Sequence, residues 1–363
     1  MSSIFVSSTF MSGIFSRLIS RSPVRALAAA SAVALTLMAA PAARAADAAP
    51  AAQDQVEYST PSKLASKDLM LSATTAGKRL IAVGQFGHVI YSDDGGESWV
   101  QAKSVPTQVT LTSVYFVNDK VGFAAGHDST VIRTDDGGVN WTLSYHNEET
   151  QAPIMSVYFE TEEHGFAMGA FSFVIETQDG GKTWNQRSLI EGSQEDSHLN
   201  KVFSTKQGTV LVAAEFGKVY RSTDQGKTFT EIATGYEGSF WGGMSLKDGS
   251  ALIYGMRGNV YRSTDDGASW AKINSGTDKS IGGGVELDNG TIVLVGLQGY
   301  VGYSTDNGLN FTEVTRADRL GYVAVLQAAN DKIAVFGEPG VKLQPDDAKK
   351  AADEVGFKFS SGS

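Results

Sequence analysis

From Thr112 to Ser144 the chain sets apolar and polar residues in short alternating runs broken by turn-forming residues, a period of two that predicts strands rather than helices. Thr112 to Val117 reads as one strand, Asn118-Asp119-Lys120 as a turn, Gly122 to Gly126 as the return, and Thr130 to Arg133 and Trp141 to Ser144 as two more strands. The unit recurs. A hairpin of the form apolar-Gly-x-x-x-x-Val/Tyr-Ile/Val/Tyr places its glycine, or the one alanine that replaces it, at Gly84, Gly126, Gly169, Ala214, Gly255, Gly296 and Gly337. Lys247-Asp248-Gly249 and Asp288-Asn289-Gly290 fill the turn position of Asn118 in later copies, which is the signature of a tight hairpin. Seven units with a period near forty residues predict an all-β chain folded as a seven-bladed β-propeller, one four-stranded blade per unit.

The first six units also carry an eight-residue box, Ser/Thr-x-Asp-x-Gly-x-x-Trp/Phe, beginning at Ser92, Thr134, Thr177, Ser222, Ser263 and Ser304. Its aromatic residues, Trp99, Trp141, Trp184, Phe229, Trp270 and Phe311, step by 42, 43, 45, 41 and 41 residues. A tight turn leaves backbone N–H groups unpaired, and the short carboxylates of Asp94, Asp136, Asp179, Asp224, Asp265 and Asp306, with the Ser/Thr hydroxyls, are placed to accept them. Glycine supplies the positive φ of the turn and the aromatic ring packs between blades. Every box residue thus has a structural task, and the boxes are expected to carry no catalysis.

The two ends of the ring differ from its middle. The seventh unit has three strands, near Tyr322 to Leu343, and no box. The short extended segment Val56 to Ser59 is therefore expected to supply the fourth strand of blade seven and close the ring. Beyond it, Pro345 to Ser363 reads as a short helix, Asp346 to Glu354, and a tail. At the start, Arg17, Arg21 and Arg25 precede an apolar run from Ala26 to Ala40, and Ala43-Arg44-Ala45 offers a small-x-small cleavage site, the pattern of a secretory signal peptide. Met11 opens a more ordinary signal peptide than Met1 does. The expected organisation is a signal peptide over 1–45, a flexible Ala-rich linker over 46–55, the propeller over 56–343 and a C-terminal tail over 344–363.

Composition narrows the function. The 363 residues are 42% hydrophobic and 19% charged, with 40 glycines and no cysteine, so no disulfide, thiol nucleophile or lipidated cysteine is available. Removing residues 1–45 leaves 26 basic against 40 acidic residues, a net charge of −14 where the whole chain has −10. A surface so acidic repels phosphate backbones and anionic headgroups, so nucleic acid is not an expected partner. The apolar run of the leader is short for a membrane span, so the exported chain, expected as a monomer in the periplasm or a thylakoid lumen, needs none. His88, His127, His146, His164 and His198 show no metal-ligand spacing, and no metal or cofactor is expected.

Strand polarity puts the box turns on one face of the ring, and on the other the turns after Gly84, Gly126 and their equivalents, together with the connections between blades. Only the second face varies freely, and loops on a rigid ring are where contacts concentrate. The candidate binding residues there are Phe86, His127, Phe171, Phe216, Tyr236, Trp241, Arg257, Arg316 and Arg319. The phenylalanines share one repeat position, and two readings stay open for them: packing around the channel mouth, or a binding platform.

The boxes match the Asp-box, or BNR, repeat. The whole unit is more specific: Ser113-Val114-Tyr115-Phe116-Val117-Asn118, Gly122-Phe123-Ala124-Ala125-Gly126, and Val131-Ile132-Arg133-Thr134 leading into Asp136-Gly137-Gly138-Val139-Asn140-Trp141, with its echo from Ser156 to Trp184. It resembles the photosystem II stability/assembly factor family over about Val56 to Leu343. The resemblance implies a non-enzymatic, exported seven-bladed propeller that helps to assemble a membrane complex by binding a newly made subunit through a basic patch. Here the sequence departs from the pattern, being acidic and having only eight arginines after residue 45. Relatives of this kind could serve another envelope complex outside photosynthesis. The alternative functions are a glycan-binding module or a sialidase-like glycosidase, which would need three convergent arginines and an Arg-Ile-Pro segment that residues 63–84 lack.

Replacing a box carboxylate strands its turn donors. Asp136→Ala is expected to lower stability by about 1–3 kcal/mol, measured by denaturant unfolding; an unchanged midpoint would contradict the structural role.

Overall fold

The computed structural model describes residues 56–192 and 196–355. The expected signal peptide and linker, and the end of the tail, lie outside them. Six four-stranded antiparallel sheets and one three-stranded sheet follow one another in chain order. Their first strands are Met70–Ala76, Leu111–Phe116, Ile154–Phe159, Leu199–Ser204, Phe240–Ser245, Ile281–Glu286 and Tyr322–Gln327. Each packs on the first strand of the next sheet, and the seventh packs on the first. The chain is therefore the expected seven-bladed propeller, with these strands as the inner ring.

Burial follows the ring. The second strands, such as Gly122–Gly126, Val210–Ala214 and Ile292–Gly296, are buried along their whole length because each lies between two strands of its own blade and two neighbouring blades. They therefore read as continuous apolar runs rather than as alternation. Each inner strand carries one register shift near its start, for example between Leu111 and Ser113. Past the bulge, Ser72, Ser113 and Ser156 turn toward the following blade, and their hydroxyls accept Val114 N–H at 3.2 Å, Val157 N–H at 3.0 Å and Val202 N–H at 3.0 Å. Backbone donors on the free edge of the inner strands are thus spent on holding one blade to the next.

The boxes fold as their chemistry requires. In the second, the Thr134 hydroxyl donates to Asp136 Oδ1 at 2.9 Å and accepts Gly138 N–H at 3.1 Å, while Asp136 also accepts Val139 N–H, Asn140 N–H and Asn140 Nδ2. Gly137 and Gly138 both take positive φ, 72° and 87°. A second set of links was not legible as such in the chain. Arg79, Arg133, Arg187, Arg221 and Arg262 each reach across to a backbone carbonyl in the box of the next blade, at Gly137, Gly180, Gly226, Asp266 and Asn307. Each is also ion-paired, Arg79 with Asp93 at 2.7 Å and Arg262 with Asp248 at 2.7 Å among them.

Blade seven closes differently from the expectation. It keeps three strands, Tyr322–Gln327, Lys332–Gly337 and Gly340–Pro345. Val56 to Ser59 does not join it: Ser59 N–H donates to Val105 O at 2.9 Å and Gln108 donates to Tyr58 O at 3.0 Å, which ties the segment to blade one. The outer strand of blade seven is already covered by the turn Ala65–Lys67 and by the C-terminal helix Ala348–Val355, which also packs on blade six. The helix runs one to two residues later than the sequence pattern suggests, and it buries Ala351 beside Tyr303 and Val314. Closure then rests on apolar packing and one backbone bond: Met70, Ala82 and Ile90 of blade one meet Ala334 and Phe336 of blade seven, Trp99 stands edge-on to Phe336 at 5.5 Å, and Ala329 N–H donates to Gly95 O at 3.0 Å.

Hydrogen bonds from the Ser98, Thr183 and Thr228 hydroxyls hold the carboxyls of Asp94, Asp179 and Asp224 down at about 2. An unfolded aspartate titrates near 3.9, so the stabilisation is present above that value and disappears as pH falls through it toward 2. Thermal melts followed by circular dichroism should give a melting temperature that drops progressively between about pH 4 and pH 2; a flat profile over that window would contradict the arrangement.

Candidate docking face

The turn between the second and third strands of each blade has one geometry. After the hairpin glycine, the next N–H donates to the carbonyl just before the inner strand: Gln85 to Leu69, His127 to Thr110, Ala170 to Pro153, Glu215 to His198, Met256 to Ser239, Leu297 to Ser280 and Glu338 to Gly321, all at 2.9–3.1 Å. Glycine suits this approach in six blades, because a Cβ on Gly84 or Gly126 would stand 2.0 or 2.2 Å from the carbonyl oxygen of Leu69 or Thr110, while blade four makes the bond with Ala214. In six of the blades the following residue is in left-handed backbone, whereas in blade seven Pro339 holds that place and Gly340 takes the positive φ. Phe86, Asp128, Phe171, Phe216, Arg257 and Gln298 occupy this tip in blades one to six with φ of 60°, 53°, 58°, 58°, 55° and 56°.

Such a tip points its side chain away from the ring. Phe86, Phe171 and Phe216 are 52%, 58% and 60% exposed, so they do not fill the channel mouth. Phe86 meets the edge of His88 at 5.8 Å and Phe171 that of His198 at 5.3 Å. Left-handed backbone costs a non-glycine residue about 1–2 kcal/mol.

The other candidate residues separate. Arg257 is an exposed tip with its own N–H bonded to the Ser280 hydroxyl. His127 is half-buried at the base of the second tip, and burial lowers its pKa against the opposing pull of Asp128. Arg319 is exposed in the last connection. Tyr236 is a packing residue: its ring lies 5.3 Å from Phe240 and 6.2 Å from Tyr261, and its hydroxyl donates to Met256 O at 3.2 Å. Trp241 belongs to the inner strand of blade five, at the bulge, and not to a loop. Arg316 is committed internally, bonded to Asp318 at 2.8 Å and to Gln344 at 2.5 Å and lying 4.9 Å over the Tyr322 ring. The sequence missed these last three commitments because loops and strand starts share the same residue types.

Six of the eight arginines after residue 45 are ion-paired, five of them as links between blades, so three do not converge on one carboxylate site. His164 does have carboxylate neighbours, Glu160 at 3.1 Å and Glu176 at 2.9 Å, contrary to the reading of its spacing. Arg187 shares Glu176, which makes the cluster an ion-pair network, and no metal-holding group occurs among the described residues. On the box face a hollow of about 480 Å³ lies between the inner hairpins of blades four to six, and its lysines, Lys206 and Lys247, already donate to backbone carbonyls. No helix among the described residues is long and apolar enough to cross a membrane.

The family described as photosynthesis system II assembly factor YCF48 matches residues 138–330, from the second box into blade seven and more than half of the chain. The chain belongs to the YCF48 family. Solved structures agree on the fold. YCF48 bound to a D1 peptide superposes with a TM-score of 0.60 at 16% identity, covering 76% of this chain and 93% of that one. YCF48 from Cyanidioschyzon merolae gives 0.60 at 14%, covering 76% and 95%, and the WD40 propeller domain of Doa1 gives 0.62 at 14%, covering 82% and 98%. None of the curated proteins matches. Within this YCF48-family ring, packing and display can be told apart by stability. Tyr236→Ala should cost about 2–4 kcal/mol and Phe171→Ala less than about 0.5 kcal/mol in urea unfolding; equal losses would show that the tip phenylalanine packs as core.

Proposed function

We propose that this propeller is a non-enzymatic, exported docking factor that captures a polypeptide segment of a membrane-complex subunit and assists its assembly. Membership of an assembly-factor family supports the role, and a YCF48 structure that holds a D1 peptide supports the kind of ligand. The observation that carries the reading on this chain is the set of exposed aromatic tips on a ring whose other repeated residues are consumed by folding. The leader over 1–45 supports export to a periplasm or thylakoid lumen, with the mature chain acting as a monomer beside the membrane. Photosystem II is the partner complex that the family description names; the acidic balance of this chain favours keeping another envelope complex as the second reading.

Affinity capture with the purified chain on crosslinked native membranes, read by mass spectrometry, tests this. Retention of photosystem II subunits is the expected outcome in a photosynthetic source, and of one other membrane complex elsewhere. Retention of glycan or cell-wall fragments alone would overturn docking in favour of carbohydrate binding.

A further inference from the structure

Over blades one to four the tips form an arc with a chemistry of its own: Phe86, Asp128, Phe171, Phe216. Three of the four are phenylalanines more than half exposed, in left-handed backbone that asparagine or glycine adopts more readily. The turn itself does not need an aromatic residue, since blades two and six close it with Asp128 and Gln298. Strain and exposed apolar area recurring at one register mark a surface kept for contact.

Charge says what kind of contact. Glu148 and Glu149 after blade two, Glu191 and Asp196 after blade three, and Glu237 after blade four are exposed beside the arc, as is Asp128 within it. None of these carboxylates is ion-paired among the described residues, whereas the nearby Glu215 is matched with His198 and Glu231 with Lys218. The first cationic tip, Arg257, stands only at blade five. Spacing adds a further condition. Neighbouring blades are sheets packed face to face about 10 Å apart. A polyproline II segment advances about 3.1 Å per residue and presents the same face every third residue, a step of about 9 Å.

Resting on the docking function above, we propose that the arc binds an extended partner segment with apolar side chains about every third residue and lysine or arginine between them, the basic residue that flanks the blade-two position reaching Asp128. The partner segment is thus basic and apolar, and the docking surface that meets it is acidic and aromatic.

Two dodecapeptide probes test this by fluorescence anisotropy: Leu-Lys-Pro repeated four times, and Leu-Glu-Pro repeated four times. At low salt the lysine probe should bind at least tenfold tighter than the glutamate probe. The triple variant F86N/F171N/F216N should weaken it at least tenfold with an unchanged or higher melting temperature, because asparagine suits the left-handed turn. D128K should weaken it at least threefold without loss of stability. Equal binding of the two probes, full affinity of the triple variant, or a melting temperature that falls in that variant would each overturn the proposal. So would a dimer in sedimentation that the triple variant abolishes, since the arc would then belong to a second copy of the chain. If the triple variant still captures its membrane partner, docking stands and the arc does not; if the unaltered chain captures no protein, docking itself fails.

Discussion

One backbone hydrogen bond, made seven times, sets both the inside and the outside of this ring. It joins the residue after each hairpin glycine to the carbonyl just before the inner strand, and it draws two segments of one blade so close that a Cβ has almost no place between them. Blade four makes the same bond with Ala214 in the glycine's position, at 3.1 Å from Glu215 N to His198 O, so the bond rather than the glycine is the constant. In blades one to six the chain then turns back through left-handed backbone, and the side chain at the tip is displayed whether or not it is polar. Display on the variable face is thus a consequence of how the blade is tied internally.

Cohesion around the ring comes from modest links between neighbouring blades. The serine hydroxyls past the bulges join blades one to four, the arginines that reach a carbonyl in the next box join blades one to six, and the aromatic residues of the boxes pack against the neighbouring blade. The join between blades seven and one uses the same apolar packing without a shared strand. In place of a fourth strand, the turn Ala65–Lys67 and the helix Ala348–Val355 cover the last sheet edge, which removes an exposed row of backbone donors and acceptors by another route. Five of the eight arginines after residue 45 have a position in that scheme.

Much of the fold was legible before any coordinates. The hairpin glycines counted the blades and the boxes located six of the turns, because both depend on local backbone geometry that only a few residue types satisfy. What escaped depended on contacts distant in sequence. Val56 to Ser59 has the composition of a strand, but its partner is chosen by Val105 and Gln108, some fifty residues on. Tyr236 and Arg316 look like surface residues until Phe240, Tyr261, Gln344 and Tyr322 are placed around them. The phenylalanine tips were found by register alone, and their exposure followed from the sign of φ, which the sequence does not state.

The same ring that is consumed inwardly by folding displays three exposed phenylalanine rings outwardly at its tips. Amide hydrogen exchange of the chain with and without its captured partner tests that division most directly. The account predicts new protection at the tips and connections over 85–88, 127–130, 146–151, 170–173 and 215–218, with the box turns unchanged. Protection confined to the box face, or to the hollow between blades four and six, would contradict it.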